Sequence, residues 1–381
     1  MGPLEGVRII EFAGIGPGPF AGMMLADMGA EILRIDRKPE LHPEAASRGD
    51  PRFDITSRGR KSIALNLKDP EATGIALRLI ESADAIIEGF RPGVMERLGL
   101  GPEACHARNP RLIYGRMTGW GQDGPLAKAA GHDINYIALS GALWAIGEAE
   151  RDPVPPLNLL GDFGGGGMML CFGIVCALLK ARQTGVGDVV DAAICDGTAA
   201  LMAPVYAQMA KGTWRNAREA NRLDGAAPYY RVYKCEDGKW ICIAPLEPQF
   251  FALFLKLLEL PDEQFSDRLN ADFWPQHRKL FEEIFASRPR AAWCDLLEGT
   301  DICFAPVLDL EEAAEHEHNR ARGVFVNANG MSQPAPAPRF SNSPPEIPGA
   351  PPIPGENRET ALLDWGFEAD EVENLIKTDI L

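Results

Sequence analysis

The chain has 381 residues, 46% hydrophobic and 24% charged, the usage of an ordinary globular protein long enough for one large domain or two smaller ones. Its 38 basic residues face 54 acidic ones, and the net charge of -16 argues against a general nucleic-acid or anionic-membrane binder. An anionic ligand would need a local basic pocket.

The opening stretch MGPLEGVRIIEF has no basic segment followed by an apolar one, so no export signal is expected, and no apolar run reaches transmembrane length. VRIIEF reads as a strand, PFAGMMLADMGA as a helix, EILRID as a strand, PEATGIALRLIESA as a helix and DAIIEGF as a strand. That alternation predicts βαβ units and a parallel sheet covered by helices, an α/β fold. RLIYGRMTGW reads as a further strand, and GMMLCFGIVCALLKARQTG as a long buried helix stopped by glycine. Near residue 225 the texture changes. YYRVYKCEDGKWICIAPL predicts a hairpin turning at Glu236-Asp237-Gly238, and QFFALFLKLLEL, RKLFEEIFAS and AAWCDLLEG predict three helices of a smaller α+β domain. From Ser332 to Gly355 the chain is proline-rich and reads as an extended strap, and EADEVENLIK closes it as an amphipathic helix. The eight cysteines form no CxxC pair and most lie in apolar segments, as expected of reduced, buried thiols in a cytoplasmic protein. His316 and His318 flank Glu317 in a charge-dense run, which reads as a solvated helix face.

After the first strand, AGIGPGPFAG imitates a dinucleotide-binding turn, and the second strand ends at Asp36, where an acid would meet a ribose. The imitation fails. Pro17 and Pro19 remove backbone donors, an alanine follows Phe20, and Arg37 and Lys38 directly follow Asp36. A basic corner suits a phosphorylated ligand. Arg58, Arg60 and Lys61, then Arg91 and Arg97, fall at strand ends and loops, and together suggest a site for a nucleotide with several phosphates. Singly, each also fits a surface ion pair.

Three segments carry acid–base groups: His132 and Asp133 in AGHDINY, Asp162 in NLLGDFGGGGMML, and Glu247 in APLEPQFF. Asp162 stands between glycines ahead of an apolar helix, where free N–H groups could meet a developing negative charge and a ligand could approach the backbone. It equally fits a plain N-cap with a glycine hinge. His132 alone also fits a structural role, and Glu247 the end of a strand.

EFAGIGPGPFAGMMLADMGAEILRIDR, LIEGFRPGVMERLGLGP, YGRMTGWGQDGPLAKAAGHDINYIALSG and NLLGDFGGGG together resemble the family III CoA-transferases, and within them the branch of α-methylacyl-CoA racemases. The resemblance runs from residue 2 to the terminal ALLDWGF segment. It implies a Rossmann-like large domain over 1–195 to which 330–381 returns, a linker over 196–225, a small α+β domain over 226–306 and a second linker over 307–329, in an interlocked homodimer. It also implies racemisation of 2-methylacyl-CoA thioesters through an enolate, with His132 working on the S face, Asp162 on the R face and Glu247 orienting the histidine. Asp133 could compete for that orienting role. Phe163, Met168 and Met169 are candidates for an apolar wall raising the pKa of Asp162, and backbone N–H groups near Asp162 for stabilising the enolate. For CoA the resemblance points to Arg37, Ala64, Leu65, Asn66, Gly89, Phe90, Arg91, Arg97, Gly131, Asp133, Ile134, Asn135 and Tyr136. It implies no metal or redox cofactor, CoA being part of the substrate, and no nucleic-acid or membrane partner. In the wider family the aspartate is a nucleophile that forms an acyl anhydride, which is the alternative activity.

Overall fold

The computed structural model describes residues 2–38 and 49–381. Six strands form a wholly parallel sheet: β1 (Arg8–Phe12), β2 (Glu31–Asp36), β3 (Arg60–Ala64), β4 (Ala85–Glu88), β5 (Ile113–Thr118) and β6 (Asp188–Ala193). Their order is β3-β2-β1-β4-β5-β6, the Rossmann arrangement. The chain leaves β1 in one direction and returns to its other side at β4. This opens a crevice beyond the carboxyl ends of β1 and β4, the usual ligand site of such sheets.

Alternation along the strands explains the two cores. Ile10, Leu33 and Ile86 enter one cluster with Ile75 and Leu79, while Ile9, Ile32 and Ile87 enter the other with Leu25 and Ile174. Helix α1 (Pro17–Asp27) follows β1, and α2 (Pro70–Glu81) follows β3. The α2 helix starts where the Asp69 side chain accepts the Glu71 N–H, with Pro70 in the first turn, and it buries Ala72, Ile75, Ala76, Leu79 and Ile80.

Two strands escape the sequence reading, β3 and β6, because their charged residues mask the pattern. Arg60 in β3 is buried and its Nε donates to Glu11 Oε2 of β1 at 2.8 Å. A Cβ on Gly22 of α1 would lie 2.5 Å from that same carboxylate oxygen, so the glycine makes room for the pair. Arg116 of β5 is bonded to Glu88, opposite it in β4, at 2.9 Å.

The alternating apolar run after His132 is helical, forming α3 (Asp133–Leu139). The long apolar helix begins earlier than expected, as a wide π-helical segment, Leu159–Met168, that continues into α4 (Met169–Thr184) and ends at Gly185, φ 74°. The glycines of its first part serve packing. A Cβ on Gly165 would come within 2.7 Å of the Thr198 nitrogen in α5 (Ile194–Leu201), and one on Gly167 within 2.7 Å of the Phe20 ring. The helix is not the buried element the sequence suggested: Met168, Phe172, Val175 and Leu179 present an exposed apolar stripe. By length and composition Leu159–Thr184 is also sufficient to cross a membrane, although 44% of its most apolar window is buried within the protein.

The chain divides into two compact units: Met1–Ala142, Pro156–Met202 and Gly323–Leu381 form the first, and Leu143–Pro155 with Ala203–Arg322 form the second. In the second, β7 (Arg231–Lys234), β8 (Trp240–Ile243) and β9 (Phe304–Val307) make an antiparallel sheet. Its core is aromatic, with Tyr233, Phe254, Phe281, Phe285 and Trp293 in contact. The proline-rich segment opens as a strand, Met331–Pro334, paired with Phe325–Ala328, and then runs without regular structure. It is tied to the rest of the first unit, where Arg58 Nη1 donates to Gln333 Oε1 at 2.8 Å and the Gly355 N–H donates to Ser62 Oγ at 2.9 Å. All eight cysteines are free; Cys105 and Cys235 are buried, whereas Cys176 and Cys303 are exposed, contrary to the expectation of generally buried thiols.

Candidate active site

Three turns converge at the carboxyl edge of the sheet. The first is the β1–α1 turn, where Gly16 has φ 68° and ψ -119°, a conformation open to glycine. The second is the entry to α3, where His132 precedes the helix and its N–H donates to Asn135 Oδ1 at 3.0 Å. The third is the first turn of the π-helical segment, which carries Asp162.

Asp133 joins the second turn to the third. Its buried carboxylate accepts the Asp162 N–H at 2.7 Å. Gly161 permits the approach, since a Cβ there would run into Asp133 Oδ1 and lie 2.7 Å from Ile137. The Asp162 carboxylate faces Gly16 and takes a long hydrogen bond from Asn158 Nδ2 at 3.4 Å. Burial pushes the Asp162 carboxyl above its ordinary pKa, against the Asn158 bond; the Asp133 charge raises it further and His132 lowers it. Tyr136 lies edge-on to Trp120 at 4.7 Å and donates its hydroxyl to the Gly131 carbonyl. Its phenol is pushed up by burial and by the Asp162 charge, and pulled down by Arg91. His132, Asp133, Tyr136, Arg91 and Asp162 thus share one electrostatic neighbourhood. An imidazole beside a carboxyl whose pKa is raised by burial makes a pair that can remove a proton and return one.

Several of the residues named for CoA follow β2, β3 and β4, on the two sides of β1 in the sheet. Arg37 follows β2, Ala64 ends β3 with Leu65 and Asn66 behind it, and Gly89, Phe90 and Arg91 follow β4. Arg37, Arg91 and Arg97 are exposed, while Ala64 and Leu65 are buried. Gly131, Ile134 and Asn135 flank His132 and Asp133 at the start of α3.

Arg58, Arg60 and Lys61 do not join this set. Arg58 is buried against Asp27 and Arg60 against Glu11, and Lys61 pairs with Asp364. Asp36 is likewise spoken for, bonded to Arg34 Nε at 2.8 Å and to the Ser62 hydroxyl. The N–H groups of Asp162 and Phe163 are committed to Asp133 and to the Asn158 carbonyl, so they are not free donors for an enolate. Phe163 packs against Phe20, the ring centroids 4.7 Å apart and the planes tilted by 31°, and Met168 is exposed. Glu247 belongs to the second unit, ahead of the helix Pro248–Leu257, and its carboxylate takes no hydrogen bond among the described residues. Gly16 and Asn158 were missed by sequence reasoning. Gly16 stood in the rejected dinucleotide turn, and Asn158, four residues before Asp162, was legible only as helical spacing.

The profile described as CoA-transferase family III matches residues 4–358. The chain belongs to this family. A mouse (Mus musculus) protein named alpha-methylacyl-CoA racemase is 44% identical over 375 residues, 98% of this chain and 96% of the relative. The human (Homo sapiens) protein of that name is 40% identical over 383 residues, 99% and 97%. A mouse succinyl-CoA:glutarate CoA-transferase is 29% identical over 400 residues, covering 100% of this chain and 91% of the relative. Among solved structures, a CAIB/BAIF family protein from Brucella suis superposes with TM-score 0.81 at 25% identity, covering 96% of this chain and 99% of that one. The family's fold and the sheet order described above therefore coincide along almost the entire chain.

Proposed function

We propose that this protein racemises 2-methylacyl-CoA thioesters, exchanging the proton on the carbon beside the thioester carbonyl between its two faces. One juxtaposition carries the reading: His132 and the raised-pKa carboxyl of Asp162 interact electrostatically at the sheet edge, in a chain 44% identical to a protein named for this reaction. Inversion at that carbon needs an acid–base group on each face. In the (S) to (R) direction His132 removes the proton, the electron pair moves into the thioester to give an enolate, and Asp162 returns a proton to the opposite face. In the reverse direction the roles exchange. A solvated aspartate is a poor proton donor near neutrality, and burial of Asp162 shifts it in the direction of a better one.

Arg37, Arg91 and Arg97 are proposed to grip the CoA phosphates, with the other residues named for CoA along its path. Glu247 is proposed to orient the His132 ring, from its own chain or from a second copy. The exposed stripe of Met168, Phe172, Val175 and Leu179 supports a homodimer, since a face of this kind is covered in the working assembly. The chemistry calls for no metal or redox group, so we assign no cofactor. The eight free cysteines favour a reducing compartment, the cytoplasm.

The relatives named as CoA-transferases favour a second reading, in which Asp162 attacks the thioester to form an acyl anhydride. Incubation with (S)-2-methylacyl-CoA in deuterated water separates the two. Deuterium at the α-carbon with formation of the (R) ester supports racemisation. Absence of exchange, with acyl or CoA transfer to an added carboxylate, would replace it by the transferase reading.

A further inference from the structure

The reaction above makes no use of the Asp133 carboxylate, although that group is buried, follows one reacting residue and is bonded to the backbone of the other. It follows His132 directly, and 29 residues further on it accepts the Asp162 N–H at 2.7 Å. That N–H lies in the first turn of its helix, where no intrahelical acceptor exists. A carboxylate is a strong acceptor for such a donor. The contact is close enough to require glycine at position 161, where a Cβ would collide with Asp133 Oδ1 and press on Ile137. Among the described residues no hydrogen bond joins Asp133 to the His132 ring.

We infer that Asp133 is a positioning residue for Asp162: it fastens the turn bearing that carboxyl to the helix that begins at His132, so the two proton-transfer groups form one rigid piece. The inference rests on the racemase reading. It differs from the orienting role considered for Asp133 toward the histidine, and the two make opposite predictions. The charged and titratable groups that act on Asp162 are His132 and Asp133 at the head of α3, with Tyr136 one turn on; its own helix adds the neutral Asn158, and the β1–α1 turn only Gly16. The Asp133 charge also favours the protonated form of Asp162, the form that delivers a proton in the (S) to (R) direction.

The test uses (S)-2-methylacyl-CoA in deuterated water with the wild-type protein, Asp133→Ala and Asp133→Asn, following α-deuteration and inversion separately. In Asp133→Ala, inversion falls about tenfold or more, as expected for a misplaced reacting group. Deuteration of the (S) ester by His132 stays within about threefold of wild type. Asp133→Asn keeps an acceptor oxygen and loses the charge. It recovers most of the inversion, and the limb of its pH profile belonging to Asp162 moves to lower pH. Unchanged inversion in Asp133→Ala would overturn the inference. So would parallel loss of exchange and inversion, which would move Asp133 to the histidine's side, or an Asp133→Asn variant as impaired as the alanine with an unmoved profile. A wild-type protein that exchanges nothing would overturn the racemase reading itself, and this inference with it.

Discussion

A Cβ placed on Gly16 would stand 3.2 Å from Asp162 Oδ2, so the first turn of the sheet and the candidate acid touch across the crevice. Gly16 also has φ 68°, a region costing a side chain about 1–3 kcal/mol. Gly16→Ala is therefore expected to lower kcat about tenfold by displacing the carboxylate, with a loss of stability in the range just given. Racemisation assays and denaturant unfolding of the same preparation check both halves.

The arginines divide into two groups with opposite signatures. Arg58 is buried against Asp27 and also bonded to Gln333, so Arg58→Met strands a buried carboxylate and should cost about 3–5 kcal/mol. Arg91→Ala and Arg97→Ala should leave the unfolding midpoint in place and raise KM for the CoA ester. Urea titration and steady-state kinetics on the three variants distinguish framework from ligand contact.

Asp162→Asn should make the protein more stable at pH 7. The folded-state pKa of Asp162 is raised by burial above the ordinary 3.8, so the stabilising contribution of its protonated form is complete below that ordinary value and is lost as pH rises through the raised one. At neutral pH the ionised side chain is a burden that asparagine lacks. Thermal unfolding at pH 7 should favour the variant, and by pH 4 the difference should shrink toward zero.

Phe172 and Leu179 are 70% and 60% exposed on one face of α4. If a second copy covers that face, Phe172→Glu with Leu179→Glu should shift the protein from dimer to monomer in sedimentation equilibrium, with unchanged circular dichroism. An unaltered dimer would move the interface elsewhere.

Much of the sheet was legible because β1, β2 and β4 are apolar runs that needed no partner to be recognised. β3 was not, since Arg60 and Ser62 look like surface residues until Glu11 and Asp36 are brought beside them. The same long-range pairing explains why Arg58 and Arg60 resembled ligand-binding groups: a sequence displays a charge without its counter-charge. His132 and Asp162 stood out through their motifs, whereas the bond between Asp133 and the Asp162 N–H spans 29 residues and leaves no local pattern. The exposed face of α4 was invisible for a different reason. A helix apolar on every side gives periodicity nothing to register.

The division of the chain has a consequence for how it is made. The first unit is assembled from three stretches, the last being Gly323–Leu381, while most of the second is the single run Ala203–Arg322. Ser62 and Arg58 receive their partners Asn357 and Gln333 only after 295 and 275 further residues have been added, at ribosomal speeds of about 5–20 residues per second. During synthesis the amino-terminal sheet must therefore wait with an uncovered edge while the inserted unit emerges and folds, and it closes only once the stretch from Gly323 onward has been added.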